Sequence, residues 1–171
     1  AICRQILERR GIVIGAHAYA IHDIFDTPFD SVNINTETLS ALNTVFFSVI
    51  DSKVQEKMRQ EIETARLQED SVGGIVECAC VGIPGGYAEE GMFGGVESVL
   101  SSILFGIPAC KGVEFGDGFK VSSLLGSKNN DSYFYDETGS IKTHTNHAGG
   151  ILGGITTGMP LIFRCAFKPT P

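Results

Sequence analysis

Apolar positions recur along the chain in two periods, and together these predict a mixture of helices and strands. Val54, Met58, Ile62 and Ala65 share one side of a charged segment, which is the spacing of an amphipathic helix. Short β-branched runs bounded by glycines predict strands instead. We predict strands over residues 12–21, 75–81, 110–115 and 161–167, and helices over 1–10, 53–68 and 96–105, the last of these buried.

The order of these elements favours an α+β fold. Strands and helices mix without strict strand–helix–strand spacing, so we expect helices packed on largely antiparallel sheets. Residues 23–52 are ambiguous, with a turn near Pro28 and a short helix opening at Thr36. The polar segment 127–145 predicts a surface loop or a hairpin. Helical spacing starts at Ile2 without an N-cap residue, so we expect an internal piece of a longer protein.

Composition narrows the class of partner. Thirteen Lys and Arg residues against twenty Asp and Glu residues give a net charge of −7, which disfavours nucleic acid. A small anionic ligand stays open, because it needs only a few local donors. No stretch reaches the ~18 apolar residues of a membrane helix, so we expect no membrane partner.

Five cysteines form no CxxC pattern and have no histidine at zinc spacing. Cys78 and Cys80 fall on one face of a predicted strand, where neighbours rarely bridge. We expect buried free thiols, no metal site and a reducing, cytoplasmic environment.

Two glycine doublets, Gly149–Gly150 and Gly153–Gly154, flank only Ile151 and Leu152. Without side chains, their N–H groups could reach a planar or anionic ligand. The alternative is a tight crossing of two elements that requires glycine. The pattern is neither GxGxxG nor a P-loop, so it indicates no nucleotide motif.

The last four residues, Lys168-Pro-Thr-Pro171, follow a predicted strand directly. Two prolines hold the backbone extended, and Lys168 and Thr170 then present a cation and a hydroxyl. That arrangement suits a phosphate or an electron-rich ring. A solvated strand exit is the alternative.

The other polar residues form no catalytic pattern. The histidines are expected at the surface or in hydrogen bonds, with the first two on opposite sides of a strand; they are His17, His22, His144 and His147. Three carboxylates stand beside glycines, and we predict that they are charged residues in turns: Glu89, Glu90 and Asp117. Two serines, Ser71 and Ser127, have no neighbouring base, so we expect no catalytic triad.

Six segments in order and spacing resemble the chorismate synthase family. They are DSVGGIVE at 70–77, GIPGG at 82–86, KGVEFGDGF at 111–119, GS at 126–127, TNHAGGILGGI at 145–155 and KPTP at 168–171. The resemblance implies a lyase of the shikimate pathway, which converts 5-enolpyruvylshikimate-3-phosphate to chorismate and phosphate by a 1,4-anti elimination. It implies reduced FMN as cofactor, with NADPH associated with the family, a phosphorylated small-molecule substrate and a homotetramer. It also implies a β-α-β sandwich, incomplete here, with residues 1–171 as the central part of one domain.

The resemblance places flavin contacts in three segments. They are Pro108 and Ala109, then Gly153, then Lys168, Pro169, Thr170 and Pro171. The family often has Asn where Pro108 stands, so the contact there would be a backbone carbonyl. The family's two histidine motifs and its RSSAR segment are missing, so we expect no catalytic residue in this chain, which alone would be inactive. The loop at 86–95 departs from the family pattern by one extra residue.

Two other functions stay open at this point. A glycine-rich sheet could serve as a non-catalytic oligomerisation module. Alternatively, the glycine and lysine segments could form a phosphate-binding module unrelated to flavin.

Overall fold

The structure is a computed structural model, and it describes residues 2–88 and 93–171. Its helices are α1 (Ile2–Glu8), α2 (Thr36–Leu42), α3 (Ser52–Leu67), α4 (Val96–Leu104) and α5 (Gly126–Asn129), with a 3₁₀ helix at Gly118–Ser123. Its strands are β1 (Val13–Ile21), β2 (Ile24–Phe25), β3 (Gly74–Val81), β4 (Cys110–Phe115), β5 (Tyr133–Tyr135), β6 (Ile141–Thr143), β7 (Ile151–Leu152), β8 (Ile155–Thr156) and β9 (Leu161–Phe167).

Five strands form one sheet in the order β2-β1-β3-β9-β4, and every neighbouring pair is antiparallel. The strands β5 and β6 form a separate hairpin, as do β7 and β8. The α+β class and the four longer strands are therefore confirmed. Segment 127–145, predicted as a loop or a hairpin, contains the hairpin.

The two faces of the sheet carry different cores, because successive side chains of a strand point to opposite sides. On the first face, which we call the α2 face, Leu39 and Leu42 of α2 pack with Phe29, Ala79 and Ile162. On the opposite hairpin face, the buried cluster is Cys80, Ile151 and Leu161. The β7–β8 hairpin and α4 cover part of that second face.

Two side chains explain where helices begin in the region that the sequence left ambiguous. Asn35 caps α2 by accepting a hydrogen bond from the Thr38 amide at 2.8 Å, and Asp51 caps α3 by accepting from the Lys53 amide at 2.9 Å. The amphipathic helix α3 buries Met58 completely. The predicted helix at 53–68 is confirmed.

The prediction that helix 96–105 is buried is wrong. No residue of α4 is fully buried, and Ile103 is 65% exposed. Val96 and Leu100 pack on the hairpin-face cluster, so the first turns of this helix are covered, whereas Ile103 and Phe105 at its C-terminal end are not. Among residues 2–88 and 93–171, no helix has the length and hydropathy required to cross a membrane.

Candidate functional site

Two of the three predicted cofactor segments lie side by side. The Lys168 amide donates a hydrogen bond to the Ala109 carbonyl oxygen at 3.0 Å, next to the point where Cys110 of β4 pairs with Phe167 of β9. Pro108, Ala109 and all four residues of Lys168–Pro171 are exposed. The antiparallel pairing of β4 and β9 therefore joins residues about sixty positions apart in sequence into one accessible surface.

Ala109 adopts a backbone conformation that is rare for alanine. Its φ is +67°, in the left-handed region that favours glycine. Such residues persist where the surrounding structure holds them, and they cluster at ligand sites. In this conformation the Ala109 carbonyl accepts the Lys168 amide.

The loop of residues 70–73 lies against the lysine segment. The Ser71 hydroxyl donates a hydrogen bond to the Thr170 carbonyl oxygen. A Cβ at Gly73 would lie 2.6 Å from the Phe167 carbonyl oxygen, so only glycine permits this contact. The partner of the Ser71 hydroxyl in the structure is thus a backbone carbonyl.

Gly153 lies apart from the other two segments. Gly153 and Gly154 form the two-residue turn between β7 and β8, with φ of +61° and +81°, as a type I′ turn requires. The Val96 amide donates to the Gly154 carbonyl at 2.8 Å, which places this turn at the start of α4. Ala109 follows the other end of that helix, whose nine residues span about 13 Å.

The two glycine doublets have different structural roles. A Cβ at Gly149 would lie 2.3 Å from the Gly116 nitrogen, and one at Gly150 would lie 2.5 Å from the Pro160 oxygen. The first doublet is therefore the tight crossing that the sequence left open as an alternative. At Gly153 a Cβ would meet nothing within 4 Å, so that backbone faces open space.

A charged row that the sequence pattern did not indicate crosses the α2 face of the sheet, buried at one end and partly exposed at the other. Its members occupy directly opposed positions on four neighbouring strands: His17, Glu77, Arg164 and Glu114. The side chains are joined at every step. His17 Nε2 lies 2.9 Å from Glu77 Oε2, Arg164 Nη2 lies 2.8 Å from Glu77 Oε1, and Arg164 Nη1 lies 3.3 Å from Glu114 Oε1.

His17 has a carboxylate on each side. Its Nδ1 lies 2.9 Å from Asp26 Oδ2, so both ring nitrogens face carboxylate oxygens. Burial by itself would raise the pKa of Glu77. Hydrogen bonds from His17 and the Phe29 amide, together with the Arg164 guanidinium, instead hold that pKa below its usual value.

A cavity of about 430 Å³ opens beside this row. The Arg164 guanidinium reaches it while lying over the Tyr19 ring, 4.4 Å from the centroid. Within the described residues, the charged side chains that line this cavity form ion pairs with one another. We therefore interpret the row as a structural network whose Arg164–Glu114 end is accessible from the cavity.

Two further histidines, His147 and His144, have partners at or near the surface, as expected. His147 Nδ1 lies 2.8 Å from Asp117 Oδ2, so this turn carboxylate also has a histidine partner. His144 stacks on Phe134.

Glu89 and Glu90, predicted to be charged residues in a turn, lie outside the described residues.

His22 departs from its predicted position. It follows the end of β1 with a φ of +53°, so strand parity does not place it opposite His17. A hydrogen bond to Glu61, with the charge of Asp23, raises the pKa of His22. These three residues bring potential metal-ligand atoms within 4.8 Å of one another, all at or near the surface.

The cysteines are free, as predicted, but the prediction that all of them are buried is wrong for Cys3, which is exposed on the short helix α1. Burial raises the pKa of Cys78 to about 12 and the pKa values of Cys80 and Cys165 to about 11. Thiols with such pKa values are inert near neutral pH, because the thiolate is the reactive form.

Comparison with known proteins identifies the family. The family model for chorismate synthase matches residues 1–171. The chain belongs to the chorismate synthase family. It is 43% identical to a chorismate synthase from Lancefieldella parvula over 178 aligned residues, and 46% identical to one from Pyrococcus abyssi over 171. Each alignment covers 98% of this chain, but only 46% and 45% of the respective relative.

A solved crystal structure of chorismate synthase has the same fold. It superposes with a TM-score of 0.88 at 27% identity, covering 99% of this chain and 53% of the other. The chain therefore spans about half the length of the chorismate synthases that it matches.

Proposed function

We propose that the protein containing this chain is a chorismate synthase, a lyase that converts 5-enolpyruvylshikimate-3-phosphate to chorismate and phosphate with reduced FMN. Membership of the family over all 171 residues supports this activity. The structural observation that carries it is the adjacency of Ala109 and Lys168, because two segments that the family resemblance assigns to the flavin lie on one exposed surface.

The residues of that surface fit an anionic, electron-rich cofactor. Lys168 forms no ion pair with any residue that the structure describes, and its backbone is restricted by the following Pro169. The ammonium is therefore available to a phosphate or a ring edge. Neither Pro108 nor Ala109 has a polar side-chain atom, so both would make any polar contact to the cofactor with backbone atoms.

The proposed role of this chain is to bind and orient the FMN. Lys168, Pro169, Thr170 and Pro171 would hold one part of the FMN, and Gly153 would approach it with backbone alone. Reduced FMN, when bound, supplies transient electron density for loss of the phosphate, with no net redox change. We assign no catalytic residue to residues 1–171, since proton transfer would come from the remainder of the protein.

Residues 1–171 would form the central part of a single domain of a cytoplasmic homotetramer. The exposed apolar residues at the C-terminal end of α4 support a need for further protein. Ile103 and Phe105 are 65% and 54% exposed there. Exposed apolar patches of this kind mark contact surfaces. The same patch is the observation that favours the second candidate function, a non-catalytic oligomerisation module.

The discriminating experiment measures FMN affinity in the complete protein. Lys168→Ala should weaken FMN binding by about one to two decades, the effect of a lost charge-assisted contact. Lys128→Ala, an exposed lysine on α5, is the matched control and should bind like the parent. Saturable FMN binding that Lys168→Ala leaves unchanged would remove Lys168 from the site. Absence of any FMN binding would favour the oligomerisation module.

A further inference from the structure

We propose that Ser71 is a positioning residue, which fixes the Lys168–Pro171 segment in its binding conformation and so sets the affinity for FMN. This inference rests on the proposed function, because it takes Lys168 as a cofactor contact. The hydrogen bond from the Ser71 hydroxyl to the Thr170 carbonyl carries it. The two residues are 99 positions apart in sequence.

Few other contacts hold the backbone of the Lys168–Pro171 segment. Strand β9 ends at Phe167, so residues 168–171 lie beyond the sheet ladder. Pro169 and Pro171 have no N–H to donate. In the described part of the chain, two hydrogen bonds hold this backbone: Lys168 N–H to the Ala109 carbonyl, and the Ser71 hydroxyl to the Thr170 carbonyl.

Those two bonds sit on either side of Pro169. The first anchors the strand end, and the second anchors the backbone two residues further on. Without the second, no hydrogen bond from the described residues would hold the backbone beyond Lys168. Affinity falls when a binding segment must be ordered as the ligand binds.

Ser71 is itself held in place for this contact. Its amide donates to Asp70 Oδ1 at 2.7 Å, which fixes the turn that presents the hydroxyl. Two residues on, a Cβ at Gly73 would lie 3.1 Å from Pro169 Cδ, so the loop and the segment are already in close contact. A cavity of about 490 Å³, lined by Ser71 and Pro169 among others, lies beside this contact.

A merely structural role predicts a different result. Ser71 and Thr170 are at or near the surface, and one such hydrogen bond adds little to global stability. A positioning role instead predicts a loss of FMN affinity with an almost unchanged melting temperature. The two quantities, measured on one protein sample, separate the roles.

The experiment uses the complete protein with FMN as the titrated probe. Ser71→Ala should raise the FMN dissociation constant about three- to tenfold, the range expected for one lost neutral hydrogen bond. Ser71→Thr retains the hydroxyl and should stay within about twofold of the parent by the same reasoning. Ser122→Ala is the matched control, since the Ser122 hydroxyl also donates to a backbone carbonyl, that of Phe119 at 2.8 Å.

Lys168→Ala is measured in the same series to separate two kinds of failure. If Lys168→Ala weakens FMN binding and Ser71→Ala does not, the positioning role is overturned and the proposed site survives. If neither variant weakens binding, the site assignment fails and the inference fails with it. Equal losses in folded Ser71→Ala and Ser71→Thr would also overturn the role, because threonine keeps the donor.

Discussion

Ala109 accepts the Lys168 amide at 3.0 Å while its own φ is +67°. A positive φ costs a residue with a Cβ roughly 1 kcal/mol, whereas glycine adopts it without this cost. The alanine is therefore retained in a strained conformation at the proposed cofactor surface.

Ala109→Gly should relieve that strain. We expect the free energy of unfolding to rise by up to about 1 kcal/mol, reduced by the extra freedom of glycine in the unfolded chain. Urea denaturation of the parent and the variant measures this difference. A clear loss of stability would show that the Ala109 methyl group packs against a partner.

Gly153 is best tested with asparagine. A β-branched residue such as valine would be strained at φ +61° even without ligand, so its effect on binding would be uninterpretable. Gly153→Asn places an Asn-Gly pair in a type I′ turn, the favoured sequence there.

Gly153→Asn should therefore leave the melting temperature of the apo protein within a few degrees of the parent and weaken FMN binding at least tenfold, if the Gly153 backbone approaches the cofactor. Thermal denaturation and FMN titration provide both numbers. Unchanged FMN affinity in this stable variant would make Gly153 a turn residue only.

Glu77 should contribute strongly to stability at neutral pH. Glu77→Gln leaves Arg164 and His17 without their shared carboxylate, and breaking a buried pair costs about 3 kcal/mol. Glu114→Gln is the matched control, because Glu114 is only partly buried and should cost less than about 1 kcal/mol.

The pH dependence of the Glu77 effect has a definite sign. The folded-state pKa is lowered from 4.5, so the stabilisation is complete above pH 4.5 and is lost as the pH falls through the folded-state value. Unfolding curves at pH 7 and near pH 3 should show a large difference between parent and Glu77→Gln at pH 7 and a smaller one near pH 3. Equal differences at both values would contradict this assignment.

Cysteine labelling should be selective. Cys3 is exposed, whereas burial raises the pKa values of Cys78, Cys80 and Cys165 to about 11 or 12. At pH 8 a thiol reagent should modify Cys3 within minutes and leave these three unmodified until denaturant is added. Peptide mapping by mass spectrometry reads each position separately. Fast labelling of Cys78 in the native protein would show that the hairpin face opens.

The sequence was sufficient for elements that carry their own periodicity. The four longer strands and α3 are visible in local patterns, and the order of motifs is enough to indicate the family. Whether α4 is buried depends on what covers its C-terminal end, and no local pattern contains that information. The conformation of Gly153 depends on a two-residue turn that the doublet alone does not distinguish from a tight crossing.

The charged row could not be predicted without knowing which strands are neighbours, although the sequence contains one indication of it. Glu77 stands alone among the apolar residues of β3, and Arg164 stands alone in β9. A single charge within a buried strand calls for a partner. Their pairing depends on which strands are neighbours, and His17 is 60 residues from Glu77.

The same row also affects how the strands can align during folding. A slip of one residue between β3 and β9 would turn one strand's side chains to the wrong face, which apolar burial already opposes. A slip of two residues keeps every side chain on its proper face, and the apolar pattern barely penalises it. Such a slip would carry the Glu77 carboxylate away from Arg164 and leave it buried without its cation, at a cost of several kcal/mol. The row thus selects one alignment among those that hydrophobic burial alone would accept.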